Sequence, residues 1–274
     1  MSSSPRLKIG SDVPFYLCLG LLGGIYIVLI VAMLLADLAF TTPHHLVQAL
    51  SSPEIRYAIK LSLVSCTLTT ILSLWVAIPL GYSLSRFSFP GRGLVEAILD
   101  IPIVLPPLVI GLSLLILFQT PLGRMIERLI PFTYAVPGIV LAQFSVACAF
   151  AVRTMRVTFD QINPRSEQVA LTLGCRRSQA FLMVVLPQAR RGILTAATLA
   201  WARSLGEFGP ILIFSGATRL RTEVLSTTVF LELSVGNIEA AVAVSLLMIL
   251  SSFVVLTVVR IFGSETLFAK GVKP

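Results

Sequence analysis

Residues 169–187, VALTLGCRRSQAFLMVVLP, have the apolar content of a helix but hold Gly174 in the middle and Pro187 at the end. Glycine adopts the left-handed backbone angles that end helices, and proline disfavours a helical conformation at the residue before it. The stretch therefore predicts two short helices joined at the glycine, over about 164–173 and 176–186. Neither has the length of about 20 residues that a membrane crossing needs. The flanking segments decide where the pair lies.

Those flanking segments are long and apolar. The chain has 274 residues, is 56% hydrophobic and only 12% charged, and its mean hydropathy is +0.92. A soluble domain carries about 25% charged residues. We therefore predict an all-α polytopic membrane protein with six transmembrane helices and a cytoplasmic loop between helices 4 and 5. The predicted spans are 14–36, 58–84, 97–119, 133–152, 192–214 and 238–262.

The basic residues predict the orientation of these spans. A cytoplasmic N-terminus places fourteen Lys and Arg residues in inside segments and six in outside segments. This bias predicts that both termini and residues 153–191 lie in the cytoplasm. The apolar run of the first span is too long for a signal peptide, so we expect a retained helix. The net charge of +8 is thereby assigned to cytoplasmic loops rather than to nucleic-acid binding.

The cytoplasmic loop carries seven arginines and an amphipathic second helix. Asn163 followed by Pro164 is a typical helix start, with Asn as the N-cap. In the second helix one apolar stripe is formed by Ala180, Phe181, Val184 and Val185. Such a stripe suits an interfacial helix lying on anionic lipid, and it equally suits docking to a cytoplasmic partner. The residues alone leave both alternatives open.

The third span contains DIPIVLPPLVIG, in which Pro102, Pro106 and Pro107 predict a kinked or broken helix. Broken membrane helices are tolerated where neighbours or a cavity satisfy the freed backbone groups. The break is therefore either a static kink in a packed bundle or a helix that lines a pathway.

The fifth span contains WARSLGEFGP, with two charges inside a predicted membrane segment. Arg203 and Glu207 are four residues apart and share one helical face. Gly206 and Gly209 allow close backbone approach, and Pro210 weakens the helix just beyond them. An ion pair that holds the bundle together is one interpretation. We favour the lining of a translocation pathway or gate, because intramembrane charges usually mark such routes.

With its glycine and proline, the cytoplasmic loop resembles the coupling motif of the membrane subunits of binding-protein-dependent ABC importers. That motif reads Glu-Ala-Ala, three residues, Gly, nine residues, Ile, any residue, Leu-Pro. Both spacings match here, although Gln168 stands where the family has Glu, and Glu167 lies one residue earlier. The resemblance assigns coupling to an ATPase to Glu167, Gln168, Ala170, Gly174, Phe181, Val184, Leu186 and Pro187.

Two further segments look like the oxyanion branch of these permeases, which imports molybdate, tungstate or sulfate. They are residues 89–118 and 203–216, and the RTE sequence at 221–223 fits the same branch. The resemblance covers about residues 57–262, which we expect to form the importer transmembrane domain with its coupling loop at about 160–190. Residues 1–56 then hold the N-terminal tail, first helix and external loop, and 263–274 form a cytoplasmic tail.

The resemblance implies a multi-pass permease of the inner (plasma) membrane that is not an enzyme. The sequence has no G-x-x-x-x-G-K-[ST] phosphate loop. The implied partners are a second copy of the chain, two cytoplasmic ATPase subunits that bind ATP and Mg²⁺, an external substrate-binding protein and membrane lipid. No cofactor or metal is expected on this chain. Molybdate or tungstate is the first expected substrate, and sulfate or another small solute is the alternative. A passive channel or intramembrane enzyme is the competing class.

Overall fold

The structure, a computed structural model, describes residues 13–268 of the chain. This part is helical and, within it, no strand occurs. Its helices are α1 (Val13–Phe40), α2 (Pro43–Ser51), α3 (Pro53–Arg86), α4 (Arg92–Val104), α5 (Pro107–Gln119), α6 (Pro121–Leu129), α7 (Val136–Gln161), α8 (Pro164–Thr172), α9 (Arg177–Ala180), α10 (Leu186–Leu205), α11 (Gly209–Phe214), α12 (Leu225–Ser234) and α13 (Ile238–Phe268), and a π-helical turn, Phe181–Val185, joins α9 to α10.

Four helices in the described part are long and apolar enough to cross a membrane: α1, α3, α7 and α13. Helices α4 and α5 count as a fifth span if they are taken together, although they are bent by 112° at their break. The predicted polytopic all-α class is confirmed. The predicted fifth span, 192–214, is divided between α10 and α11, so the count of six spans stays a prediction.

The predicted break in the third span is confirmed, but one of the three prolines was wrongly assigned to it. The chain leaves the helix at Leu105 and Pro106, and Pro107 opens α5. Pro102 lies inside α4, which continues for two more residues to Val104. A proline so near the end of a helix removes one hydrogen bond where the helix is about to stop, so it does not break it.

Small residues hold α3, α7 and α10 together as the centre of the bundle. Their shared core includes the fully buried alanines Ala77, Ala147, Ala151, Ala189, Ala196 and Ala200. A Cβ added to Gly81 of α3 would lie 2.8 Å from Met155 Cβ of α7. Because the hydrophobic effect does not drive helices together in lipid, close backbone packing through small residues helps to stabilise membrane bundles.

A buried polar contact crosses the same three helices. Gln143 of α7 accepts a hydrogen bond from the Thr69 hydroxyl of α3 at 3.1 Å and donates its amide to the Ser204 carbonyl of α10 at 3.1 Å. A buried amide that finds its partners on two neighbours fixes the register of three helices at once. The last turn of α10 is therefore held in place at Ser204, between Arg203 and Glu207 in the sequence.

Candidate functional site

The predicted loop helix α8 begins and ends as its sequence indicates. The Asn163 side chain accepts a hydrogen bond from the Arg165 backbone at 3.0 Å, with Pro164 at the first helical position. Gly174 has a φ of +90°, and the Cys175 N–H donates to the Ala170 carbonyl at 3.1 Å. This is the glycine-ended helix terminus that the sequence predicts.

Beyond the glycine, the structure corrects the predicted end of the second helix. Helix α9 passes into the π-helical turn, in which the Leu186 N–H donates to the Phe181 carbonyl, and α10 follows without a gap. Pro187 is the second residue of α10 and so does not end a helix. The π turn is wider by one residue, and this accommodates a proline that has no N–H to donate. From residue 177 onward, the second half of the loop and α10 therefore form one uninterrupted helical segment.

Glu167 fastens the loop to the end of α3. Its Oε1 accepts a hydrogen bond from the Tyr82 hydroxyl at 2.5 Å, and its Oε2 lies 3.5 Å from Arg86 Nε. Arg86 in turn donates to the Ile162 carbonyl at 2.8 Å, just before α8. Gln168 is exposed and makes no side-chain hydrogen bond within the described part of the chain. In this structure the acid that holds the loop is therefore Glu167.

The predicted apolar stripe packs in large part on the chain's own bundle. Phe181 packs against Tyr82 with ring centroids 4.6 Å apart, and Ala180 and Val185 are fully buried. Other apolar side chains point outward, with Leu173 80% and Met183 71% exposed. The exposed apolar surface of the loop consists of Val169, Leu173, Leu182 and Met183.

The predicted pair in the fifth span forms at the end of α10. Arg203 Nη1 lies 3.1 Å from Glu207 Oε2, yet within the described part of the chain this oxygen accepts no well-aligned hydrogen bond. Glu207 is 2% exposed and Arg203 is 30% exposed, with its guanidinium 5.7 Å from the centre of the Phe150 ring. The carboxylate is thus deeply buried and its charge is compensated mainly by one arginine, which itself remains accessible.

The two broken spans meet at their breaks. A Cβ added to Gly209, the first residue of α11, would lie 3.0 Å from Leu108 N, and one added to Gly111 would lie 2.7 Å from Pro210 Cα. The prediction of close approach is therefore correct for Gly209. It is wrong for Gly206, whose added Cβ would meet nothing nearer than 3.8 Å. Gly206 instead caps α10, its N–H donating to the Ala202 carbonyl.

Sequence reasoning missed the partners of Glu167, which are Tyr82 and Arg86. Tyr82 and Arg86 carry the only available signal, a tyrosine and an arginine four residues apart at the end of a span. From the sequence, Glu223 was noted only as part of the RTE sequence, and its burial was not predicted. It is 1% exposed, and neither of its carboxylate oxygens accepts a hydrogen bond from any residue that the structure describes. Burial raises the pKa of this carboxyl. In the described residues no three His, Cys, Asp or Glu side chains gather in a way that would hold a metal ion.

Comparison with known families gives one match that covers most of the chain. Residues 77–266 match the family described as the inner membrane component of binding-protein-dependent transport systems. The matched range contains the loop, its anchor on α3, and both broken spans.

Individual proteins agree with that match. The chain is 32% identical over 212 residues to the sulfate transport system permease protein CysT of Escherichia coli (strain K12), covering 76% of each chain. It is 38% identical over 168 residues to the molybdate/tungstate transport system permease protein WtpB of Thermococcus kodakarensis, covering 61% of this chain and 64% of the relative. In fold it is similar to a chain of a bacterial alginate ABC transporter crystallised with a periplasmic protein, with a TM-score of 0.74, 18% identity and coverage of 95% and 97%.

Proposed function

Because the chain belongs to the family of inner membrane components of binding-protein-dependent transport systems, we propose that it forms the translocation pathway of an oxyanion importer. It is a permease subunit of an ABC importer, and we assign it molybdate or tungstate as substrate, with sulfate as the alternative. Its named relatives transport both classes of anion. The functional assembly we propose contains two copies of the chain, two ATPase subunits that bind ATP and Mg²⁺, and an external binding protein.

The observation that carries the coupling role is the mechanical connection of the loop. Its second half is continuous with α10, and its first half is fastened to α3 through Glu167. A displacement of the loop is therefore transmitted to two helices of the central bundle. A partner could bind the exposed apolar surface of the loop, which is formed by Val169, Leu173, Leu182 and Met183. Burying two large apolar side chains stabilises an interface by roughly 3–6 kcal/mol.

The meeting of the two helix breaks supports a pathway at the same place. At Pro107 and Gly209 the backbones of α5 and α11 touch, and Glu207 and Arg203 lie next to them in the sequence. Irregular backbone at membrane depth is tolerated where it is buried in protein or lines a cavity. A bundle that opens and closes needs segments that move as short units, and broken helices provide them.

Transport by the complete assembly tests this function. Proteoliposomes that hold the permease with its ATPase, with the binding protein outside and ATP and Mg²⁺ inside, are expected to accumulate labelled molybdate or sulfate. Omitting ATP should abolish the accumulation, because an importer of this class moves substrate only with ATP turnover. Flux that persists without ATP would identify a passive channel instead, and accumulation of neither anion would refute the oxyanion assignment.

Replacing Glu167 is expected to uncouple the loop from the bundle. Glu167→Ala removes the acceptor of the Tyr82 hydroxyl and the partner of Arg86. A hydrogen bond to a charged group contributes about 1.5–3 kcal/mol, so we expect uptake to fall about tenfold or more while the ATPase subunit still co-purifies. The measurement is the ratio of substrate transported to ATP hydrolysed.

Gln168→Ala is the matched control, since it truncates the neighbouring side chain, which is exposed and has no hydrogen bond in the described part of the chain. It should leave that ratio within about twofold of the original protein. The opposite pattern, with Gln168→Ala uncoupled and Glu167→Ala normal, would move the role of the family's acid to position 168.

A further inference from the structure

An open cavity of about 670 Å³ lies between the loop-side ends of α7 and α10, beside the start of the coupling loop. Its polar lining comes from one face of each helix. Helix α7 contributes Arg153, Thr154, Thr158 and Gln161, and α10 contributes Gln188, Arg191 and Thr195. Among the residues that the structure describes, no acidic one lines it. The cavity therefore carries two positive charges and no negative one.

The two lining arginines have no carboxylate partner in the described part of the chain, unlike Arg92 and Arg156 nearby. Arg156, three residues from Arg153, contacts Glu96 at 3.1 Å, and Arg92 contacts the same carboxylate at 2.7 Å. Arg153 and Arg191 are both exposed and form no ion pair with any described residue. Two unneutralised guanidinium groups on the wall of one cavity favour an anion there.

The hydrogen-bond donors in the cavity can be assigned one by one. The three threonine hydroxyls donate to carbonyls of their own helices: Thr154 to Phe150, Thr158 to Thr154, and Thr195 to Arg191. A hydroxyl has one proton and cannot also donate it to a ligand. The side chains of Gln161 and Gln188 make no hydrogen bond within residues 13–268. The free donors are thus two guanidinium groups and two amides, divided equally between the helices.

The two helices touch at the cavity. A Cβ added to Gly192 would overlap the Thr158 side chain, so α7 and α10 are in direct contact there. The donors on both sides are consequently carried by helices whose spacing is fixed.

We propose that this cavity is a binding site for a tetrahedral oxyanion, held by Arg153 and Arg191 with help from Gln161 and Gln188. The proposal rests on the proposed function and extends it: the site is where the transported dianion rests at the coupling-loop end of the pathway before release. A lipid phosphodiester shares the chemistry but carries one negative charge, whereas the lining carries two positive ones. A free dianion such as sulfate or molybdate matches that charge.

Equilibrium binding of labelled sulfate and molybdate to the permease–ATPase complex tests the site. The complex is placed without the binding protein in nanodiscs of phosphatidylcholine. We expect about one dianion per permease chain, and a loss of affinity of at least tenfold in the double variant Arg153→Gln, Arg191→Gln. The matched control, Arg165→Gln with Arg190→Gln, removes the same charge from exposed positions outside the cavity and should retain the affinity. Gln161→Ala with Gln188→Ala, which keeps the charge, should lose affinity by a smaller factor.

Several outcomes would overturn the proposal. If the cavity variant and the control variant lose affinity equally, the effect is one of net charge alone. If the cavity variant binds the dianion as tightly as the original protein, the site does not exist. If no dianion binds in phosphatidylcholine, and in nanodiscs that contain phosphatidylglycerol the arginine variant binds less of that lipid than the original protein, the occupant is a lipid headgroup. ATP-driven uptake is measured separately on the same preparations. Normal uptake with no binding here overturns only this site, whereas absent uptake overturns the oxyanion function itself.

Discussion

Gly174→Asp is expected to abolish substrate uptake while the protein still inserts in the membrane. Gly174 has a φ of +90°, and its added Cβ would meet no atom of the described residues within 4 Å, so they leave room for a side chain there. The variant thus costs only the strain of a left-handed L-residue, about 1–2 kcal/mol. Any larger effect arises from a partner that covers the joint. We expect the ATPase subunit to be lost from the purified complex, or retained with hydrolysis no longer linked to uptake.

The chain provides a closely matched control at Gly236. It ends α12 with a φ of +79° and has no atom within 4 Å of an added Cβ, and the N–H of the next residue, Asn237, donates to the Glu232 carbonyl, as that of Cys175 does to Ala170. Gly236→Asp therefore introduces the same strain and the same charge at the other end of the bundle. It should insert normally and retain the ATPase. Transport-coupled hydrolysis at the original rate in Gly174→Asp would refute the assignment of the loop.

The local structure of the loop follows from its sequence because caps and turns depend on adjacent residues. Asn163, Pro164 and Gly174 act on backbone groups within a few positions, and the structure has each of them as expected. Pro187 is different. A proline can end a helix or can follow a π turn within a longer helix, and the packing of the preceding residues determines which occurs. Here Val185 is fully buried against the bundle. The sequence alone carries no local sign of that choice.

The anchors of the loop are contacts between residues far apart in the chain. Tyr82 and Glu167 are 85 positions apart, and their hydrogen bond exists only because α3 and α7 pack side by side. Helical periodicity identifies Phe181 as part of an apolar stripe, but it does not say whether the stripe meets the bundle or a partner. For the same reason the two breaks, at Pro107 and Gly209, are predicted separately while their contact is not. A single sequence thus predicts the apolar faces of helices and the positions of helix breaks, but tertiary packing determines which of them come into contact.

Arg203 and Glu207 are buried to different extents, and this difference makes their roles testable. The carboxylate is 2% exposed, whereas the arginine is 30% exposed and rests on Phe150. Removing one member of a buried ion pair leaves an uncompensated charge and costs about 3–5 kcal/mol. The cost is expected mainly when the arginine is removed, because the group left behind is then the buried one. An arginine left behind by loss of the carboxylate stays partly solvated.

Arg203→Gln is consequently expected to be strongly destabilised, with a lower thermal unfolding midpoint and less folded protein, whereas Glu207→Gln is tolerated. The double variant should recover most of the stability, because neither charge then remains. Its uptake separates the two roles of the pair: a stable double variant that imports normally has lost only a packing contact, and a stable one that fails to import has lost a charge of the pathway. Glu207→Gln with unchanged uptake and unchanged basal ATP hydrolysis would likewise leave packing as the whole role. If Arg203→Gln proves as stable as Glu207→Gln, the arginine is not what compensates the buried carboxylate.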